Sequence, residues 1–516
     1  MRLKKAVACA VITVFLMIMA VGCGNEGTKP PQEEKPLTVG WAQWCTNLDP
    51  GDGYNGWYAV EFGMGETLVK TGKKMEIEPW LAESWERVDD NTWKIKIRDS
   101  VKFHNGKDVD GAAVKASLER TIKMNKRAPG LLDIASIEAQ GNEIIVKNNK
   151  PNPSFITTLA DPFAVIVDAA AAEEMGDQFM ENPVLTGPFK LKKYVKDERV
   201  EVVRNEDYWG EKAKQKDVVF KSIPDANTRL MALQSGEIQV ADKIPAEQTA
   251  TLGKDKDLKV LSESSVRVHM LIFNLKKPGL DEISVRKAIN MAVNREDLAQ
   301  KVMSESGIAA AGPFPAVLPF GGSGLKGYDY NVEGAKKLLD EAGWKPGGDG
   351  VRQKDGKKLE YTFLTYKNRP ELPVLMEAMQ SQLKEIGIKV EIKNVENASE
   401  VMESGDFEGC IYSFSTAPTG DPQYMLETVF MTGGDNNYGS YSSEKLDALG
   451  KKLQSTFDTE ERNSIAREAQ QVLIDDAAFA FLVYPKIITA VDKDVEGLDI
   501  TPTEYYFLDS KISYKG

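Results

Sequence analysis

From Leu37 to the C-terminus, short β-branched runs alternate with amphipathic stretches. This pattern dictates strands and helices layered in an α/β assembly, not an all-β or all-helical one. Strands are expected over 37–41, 92–98, 143–147 and 199–203. Helical spacing of apolar side chains predicts helices over 111–124, 284–302, 333–342 and 372–386, with Gly343 as a stop residue. With 516 residues, the chain is too long for one ordinary domain of ~150 residues, so two or three packed units are expected. A hydrophobic content of 42% with 28% charged residues excludes wholesale disorder and a multi-span membrane protein. There is no internal repeat.

The first residues read as an address. Met1 to Lys5 is basic, and Ala6 to Val21 is apolar apart from Thr13, which suits a secretory signal better than a membrane-spanning helix of ~20 residues. The run ends in Ala20-Val21-Gly22-Cys23, which resembles the lipobox of bacterial lipoproteins, with alanine in place of the usual leucine. The expectation is a signal peptide over 1–22, lipidation of Cys23, and a flexible tether over 23–36 that is poor in hydrophobes. The exported body would then be anchored to the cell membrane, facing the periplasm or the exterior.

Removal of 1–22 leaves 62 basic against 78 acidic side chains, so nucleic acid is excluded as the main partner. Cys9 leaves with the signal and Cys23 carries lipid. Cys45 and Cys410 remain, as free thiols or a single bridge. Two histidines, His104 and His269, rule out a multi-histidine metal site, and His104 is expected at the surface beside a turn. Metalloprotease, nucleophile-elbow and phosphate-loop motifs are absent. No cofactor and no catalytic constellation are expected, so binding without chemistry is the simplest function.

An ordered series of motifs spans the chain. It begins with Trp80-Leu81-Ala82-Glu83-Ser84-Trp85, Asp90-Asn91-Thr92-Trp93 and Val101-Lys102-Phe103-His104-Asn105-Gly106. Thr186-Gly187-Pro188-Phe189, Arg204-Asn205-Glu206-Asp207-Tyr208-Trp209-Gly210 and Pro224-Asp225-Ala226-Asn227-Thr228-Arg229 follow. Val285-Arg286-Lys287-Ala288-Ile289-Asn290 and Ala342-Gly343-Trp344 complete it. The series resembles the family 5 extracellular solute-binding proteins, the peptide and nickel receptors of bacterial ABC importers. The resemblance implies a two-lobed periplasmic-binding-protein-like fold (cluster C type) with an extra subdomain in lobe one. Lobe one would comprise 37–75, 185–265 and 490–516, the added subdomain 76–184, and lobe two 266–489. The implied protein is a monomeric receptor that captures a short peptide or a metal–chelator complex and delivers it to ABC permease subunits. Rival readings are a sensor or adhesion lipoprotein reusing the fold, and an exported hydrolase.

Candidate contacts follow from the residues and from the resemblance. Trp41, Trp44, Tyr54, Trp57 and Tyr58 crowd the segment after the first strand, where ligands gather in α/β folds. Trp44 and Cys45 are the candidates there. The resemblance puts Arg127 where nickel receptors pair an arginine with a chelator carboxylate, a bidentate match. It puts Asp161 where that branch has a second arginine; a carboxylate there favours a cationic or amine-bearing ligand. The strand through Tyr412 and Phe414, with Ser415 and Thr419 beyond it, corresponds to the main ligand loop of lobe two. The loop lacks both the dipeptide-receptor aspartate, having Ala417, Pro418 and Thr419 instead, and the nickel-receptor histidine, where Gly433-Gly434 stands. Asp421 reads as a loop-fixing residue. The expected signature of an Arg127 contact is that Arg127→Ala weakens affinity at least ~tenfold with stability nearly unchanged.

Overall fold

A computed structural model describes residues 34–516 except 323 and 368. The expected signal peptide, Cys23 and most of the tether lie outside the described residues. Strand Phe479–Asp492 organises the rest. It is buried along almost its whole length instead of alternating, as its near-continuous apolar sequence requires. Its N-terminal half pairs antiparallel with Arg267–Phe273, and its C-terminal half with Leu258–Ser264. These two lines of chain cross between the lobes near Ser265 and Pro485, where the Ser265 hydroxyl donates to the Pro485 carbonyl at 2.5 Å.

On one side, Arg267–Phe273 is followed by Gly409–Ser415, Glu360–Thr365 and Lys389–Asn394. On the other, Phe479–Asp492 meets Val240–Ala241, then parallel Leu37–Trp41 and Asp217–Ser222, then antiparallel Arg199–Arg204 and Phe189–Val195. A separate four-stranded antiparallel sheet of Ala82–Arg87, Thr92–Ile97, Glu143–Asn148 and Ile134–Gln140 packs on helix Gly111–Met124. Each region has its own core: Phe273, Phe363 and Phe479 in the second lobe, Val39, Phe62 and Phe220 in the first, and Ile95, Leu118 and Phe155 in the added subdomain. The expected two-lobed α/β architecture is the observed one.

Local expectations hold closely where periodicity is strong. Strand Leu37–Trp41 and helix Gly111–Met124 fall where expected, the latter capped by Asp110 on the Ala113 amide. Helix Val332–Glu341 stops at Ala342, and Gly343 follows at φ +89°. The expected helix over 284–302 is broken. Ile283–Ala292 ends at an extended Val293, and Asn294 starts a new turn by accepting from the Asp297 amide. Arg295, drawn to the Phe481 carbonyl at 2.6 Å, fixes the break. His104 is another correction. It is half-buried, because its turn folds onto the 185–187 segment and its ring nitrogen lies 3.1 Å from the Gly187 carbonyl oxygen.

Several motif residues serve the scaffold. Gly187 lets two chain segments touch: a Cβ there would lie 2.5 Å from the Gly63 carbonyl oxygen. Tyr208 and Trp209 donate to the two oxygens of Glu66, at 2.7 and 3.1 Å. Burial pushes the Glu66 carboxyl up to about 7 despite those donors. Because this folded-state value exceeds the unfolded one, the contribution is fully present below about pH 4.5 and is lost as pH rises through 7. The advantage of wild type over Glu66→Gln in urea unfolding is therefore expected to shrink by about 2 kcal/mol between pH 5 and pH 8. A pH-independent difference would contradict the assignment.

Candidate ligand-binding site

The lobes touch around a crevice. In the first lobe, Gln and aromatic residues follow strand Leu37–Trp41, and the added subdomain contributes Arg127 and Asp161. Arg127 precedes the short helix Ala128–Leu132, and Asp161 caps the turn Pro162–Ala164 by accepting from the Phe163 amide. The two side chains form an ion pair, Nη2 to Oδ2 at 2.6 Å. The Arg127 guanidinium lies 4.9 Å from the Tyr54 ring, 5.2 Å from Phe163 and 5.9 Å from Tyr424 of the second lobe. Burial disfavours its charge, but Asp161 with Tyr424 and Tyr54 outweighs this and raises its pKa. Its Nε and Nη1 are buried with no hydrogen-bond partner among the described residues. Such free donors inside a protein call for an acceptor.

From the second lobe, strand Gly409–Ser415 presents half-buried Tyr412, Phe414 and Ser415. The Tyr412 ring sits 4.7 Å from Phe414 and 5.4 Å from Tyr366, and its hydroxyl shares a 2.8 Å bond with Ser399. Burial raises Tyr412 and Tyr424, and Tyr54 on the opposite lobe adds to both shifts. Ser415 lies beside Arg267 in the ladder, and Thr419 shares a groove with Tyr424, Asn152 and Lys150. Asp421 fixes the loop: it accepts from the Gln423 amide and from Arg462 Nη2 at 2.8 and 2.7 Å.

Trp44 is half-buried against the first-lobe core, its ring 6.1 Å from Phe62. Cys45 is buried in the first-lobe core, its thiol pushed up to about 12 by burial, which makes it an unreactive small hydrophobe. Cys45 and Cys410 are both free.

Arg369, absent from the sequence-based candidates, is a second-lobe charge coupled to first-lobe carboxylates. It stands half-buried between strand Glu360–Thr365 and helix Glu371–Glu385; its carbonyl accepts from the Leu372 amide, and its side chain makes no ion pair or hydrogen bond among the described residues. Its charge is felt by Asp242 and Glu504 of the first lobe. The available signal was its position, a charged side chain just past the carboxyl end of a sheet strand.

Two further contacts join the lobes. Gly420, at φ +75°, lies so close to the Met75 carbonyl that a Cβ would come within 2.3 Å. Phe457, in the loop before helix Thr459–Asp475, packs on the subdomain, with Arg87 4.0 Å above its ring and the Trp93 ring 6.3 Å away. Arg462 holds that loop through the Leu453 and Thr456 carbonyls while also gripping Asp421.

The sequence model of bacterial extracellular solute-binding proteins, family 5 Middle, matches residues 76–437. The chain belongs to that family. The nickel-binding protein NikA of Staphylococcus aureus is 28% identical over 96% of this chain and 97% of its own length. The glutathione-binding protein GsiB of Shigella dysenteriae is 29% identical over 93% and 94%. The crystal structure of S. aureus NikA with Ni(L-His)2 superposes with a TM-score of 0.81 at 27% identity, covering 93% of this chain and all of that one. AppA of Bacillus subtilis with a nonapeptide gives 0.79 at 25%, covering 94% and 100%. This family 5 chain is thus an extracellular solute-binding protein. No helix among the described residues is long and apolar enough to cross a membrane.

Proposed function

We propose that this family 5 protein captures a small solute bearing a carboxylate, a short peptide or a metal held by an amino-acid-type chelator, and delivers it to an ABC permease. One observation carries the reading: Arg127, between Tyr54 and Phe163 of the first lobe and Tyr424 of the second, keeps its Nε and Nη1 without a hydrogen-bond partner among the described residues. Asp161 takes only one nitrogen of Arg127, and the Arg369 side chain makes no hydrogen bond or ion pair among the described residues. A guanidinium fork accepts a carboxylate in two parallel bonds, and enclosure strengthens them. The nonapeptide of AppA and the histidine chelate of NikA both carry carboxylates, so the two ligand classes share this requirement.

Tyr412, Phe414, Ser415 and Thr419 supply the opposing wall, Asp161 orients Arg127, and Trp44 edges the rim. Cys45, sealed in the core, has no contact role. Lobe one takes 37–75, 185–265 and 490–516, the subdomain 76–184 and lobe two 266–489, and closure buries the solute. The body is a monomer exported behind its 1–22 signal and held on the membrane through lipid on Cys23.

Mass spectrometry of material co-purifying with the protein identifies the solute class, and calorimetry with that solute tests the site. Arg369→Ala is expected to weaken binding at least ~tenfold while the melting temperature stays near wild type, because its side chain makes no direct hydrogen bond or ion pair among the described residues and acts on Glu371, Asp242 and Glu504 only at a distance. An unchanged Kd would remove Arg369 from the site.

A further inference from the structure

At the carboxyl end of strand Leu37–Trp41, a small cavity is lined in part by Trp41, Glu61, Asp242, Lys243, Thr489 and Glu504. It has room for about one water-sized group. Glu61 and Asp242 are 5% and 4% exposed. Glu61 Oε2 and Asp242 Oδ2 are each buried with no hydrogen-bond partner among the described residues. The wall that carries Asp242 is rigid: Arg229 donates to the carbonyls of Asp242 and Lys243 at 2.6 and 2.8 Å, and to that of Ile223 at 2.6 Å.

The charges present leave these two oxygens without a hydrogen bond. Glu504 is matched by Arg267 at 3.0 Å and by Lys243 at 3.5 Å. The Lys243 ammonium also donates to Gln43 at 2.9 Å, and it stands 3.9 Å from Asp242 Oδ2, too far for a hydrogen bond. Glu61 has no ion pair among the described residues. Burial pushes its carboxyl up to about 8 although Lys243 lowers it, and burial raises Asp242 as well although Lys243 and Arg229 lower it, so the nearby cations do not offset the burial of either carboxylate.

We propose that this cavity binds one singly charged cation of about the size of water, either a free alkali or ammonium ion or the ammonium tip of the solute. Glu61 Oε2 and Asp242 Oδ2 would be its ligands. Two acceptor oxygens suit an ammonium group, each taking one N–H, and fall short of the about six or more oxygens that a hard divalent cation demands. The free-ion form stands apart from the solute reading above; the ammonium-tip form rests on it.

Thermal unfolding of the exported body without solute tests the site. It is measured at pH 8.5 and constant ionic strength in the chlorides of sodium, potassium, ammonium, methylammonium and the bulky N-methyl-D-glucamine. At least one small cation is expected to raise the melting temperature by ~2 °C or more over N-methyl-D-glucamine. Asp242→Asn and Glu61→Gln are each expected to abolish the increment; if one does not fold, the other and the wild-type series decide. Stabilisation by sodium or potassium identifies a free-ion site, and stabilisation by ammonium and methylammonium alone identifies an amine subsite. Equal melting temperatures in all five salts, or an increment that survives both substitutions, would overturn the proposal. Neither result bears on Arg369, whose loss is read by solute affinity.

Discussion

Arg127→Ala is expected to abolish solute capture and also to cost about 3–5 kcal/mol of stability, the range for breaking a buried ion pair from one side. The sequence-based expectation was a loss of affinity alone. The structure changes that, because Arg127 and Asp161 pair at 2.6 Å with side-chain exposures of 20% and 6%. Truncating the arginine strands a nearly buried carboxylate and removes the cation shared by Tyr54, Phe163 and Tyr424. The double substitution Arg127→Met with Asp161→Leu removes both charges together. It is expected to recover most of the lost stability in urea unfolding while solute binding stays absent. Wild-type stability in the single variant would show that the pair is open to water.

Phe457→Ala is expected to weaken every solute by a similar factor of ~10, with most of the change in the dissociation rate. Phe457 belongs to the second lobe but packs into the subdomain core, under Arg87 and beside Trp93. These contacts form only when the lobes meet, so their loss, about 1–2 kcal/mol from the ring and cation–π terms, falls on the closed state. Affinity drops once the open state becomes the more populated one. Scattering from the solute-free variant is expected to show a larger radius of gyration than wild type. The loop is tied through Arg462 to Asp421, next to Thr419, so the latch and the ligand loop share one anchor. If Phe457→Ala bound each solute as tightly as wild type, the contact would have no part in closure.

The motifs that placed the chain in its family turn out to be mostly scaffold. Arg286 holds the carbonyls of Leu280, Asp476 and Ala477, and Arg229 those that frame the hinge cavity. Tyr208 and Trp209 serve Glu66, and Trp344 is buried against Glu282. Such residues are legible because each has one demanding local task. The site is less legible. Arg369 stands in an ordinary Lys-Asn-Arg-Pro stretch, and nothing in that wording says that its side chain makes no direct hydrogen bond or ion pair among the described residues.

By itself, the order of residues determined the strands and helices with strong periodicity, their caps and stops, and the family, because these depend on neighbours a few positions apart. Tertiary structure decided which charges cancel. Arg127 meets Asp161 across 34 positions, Glu504 meets Arg267 across 237, and Glu61 Oε2 meets no hydrogen-bond donor among the described residues. Electrostatic energy depends on distance and burial, and neither is set until remote segments pack together.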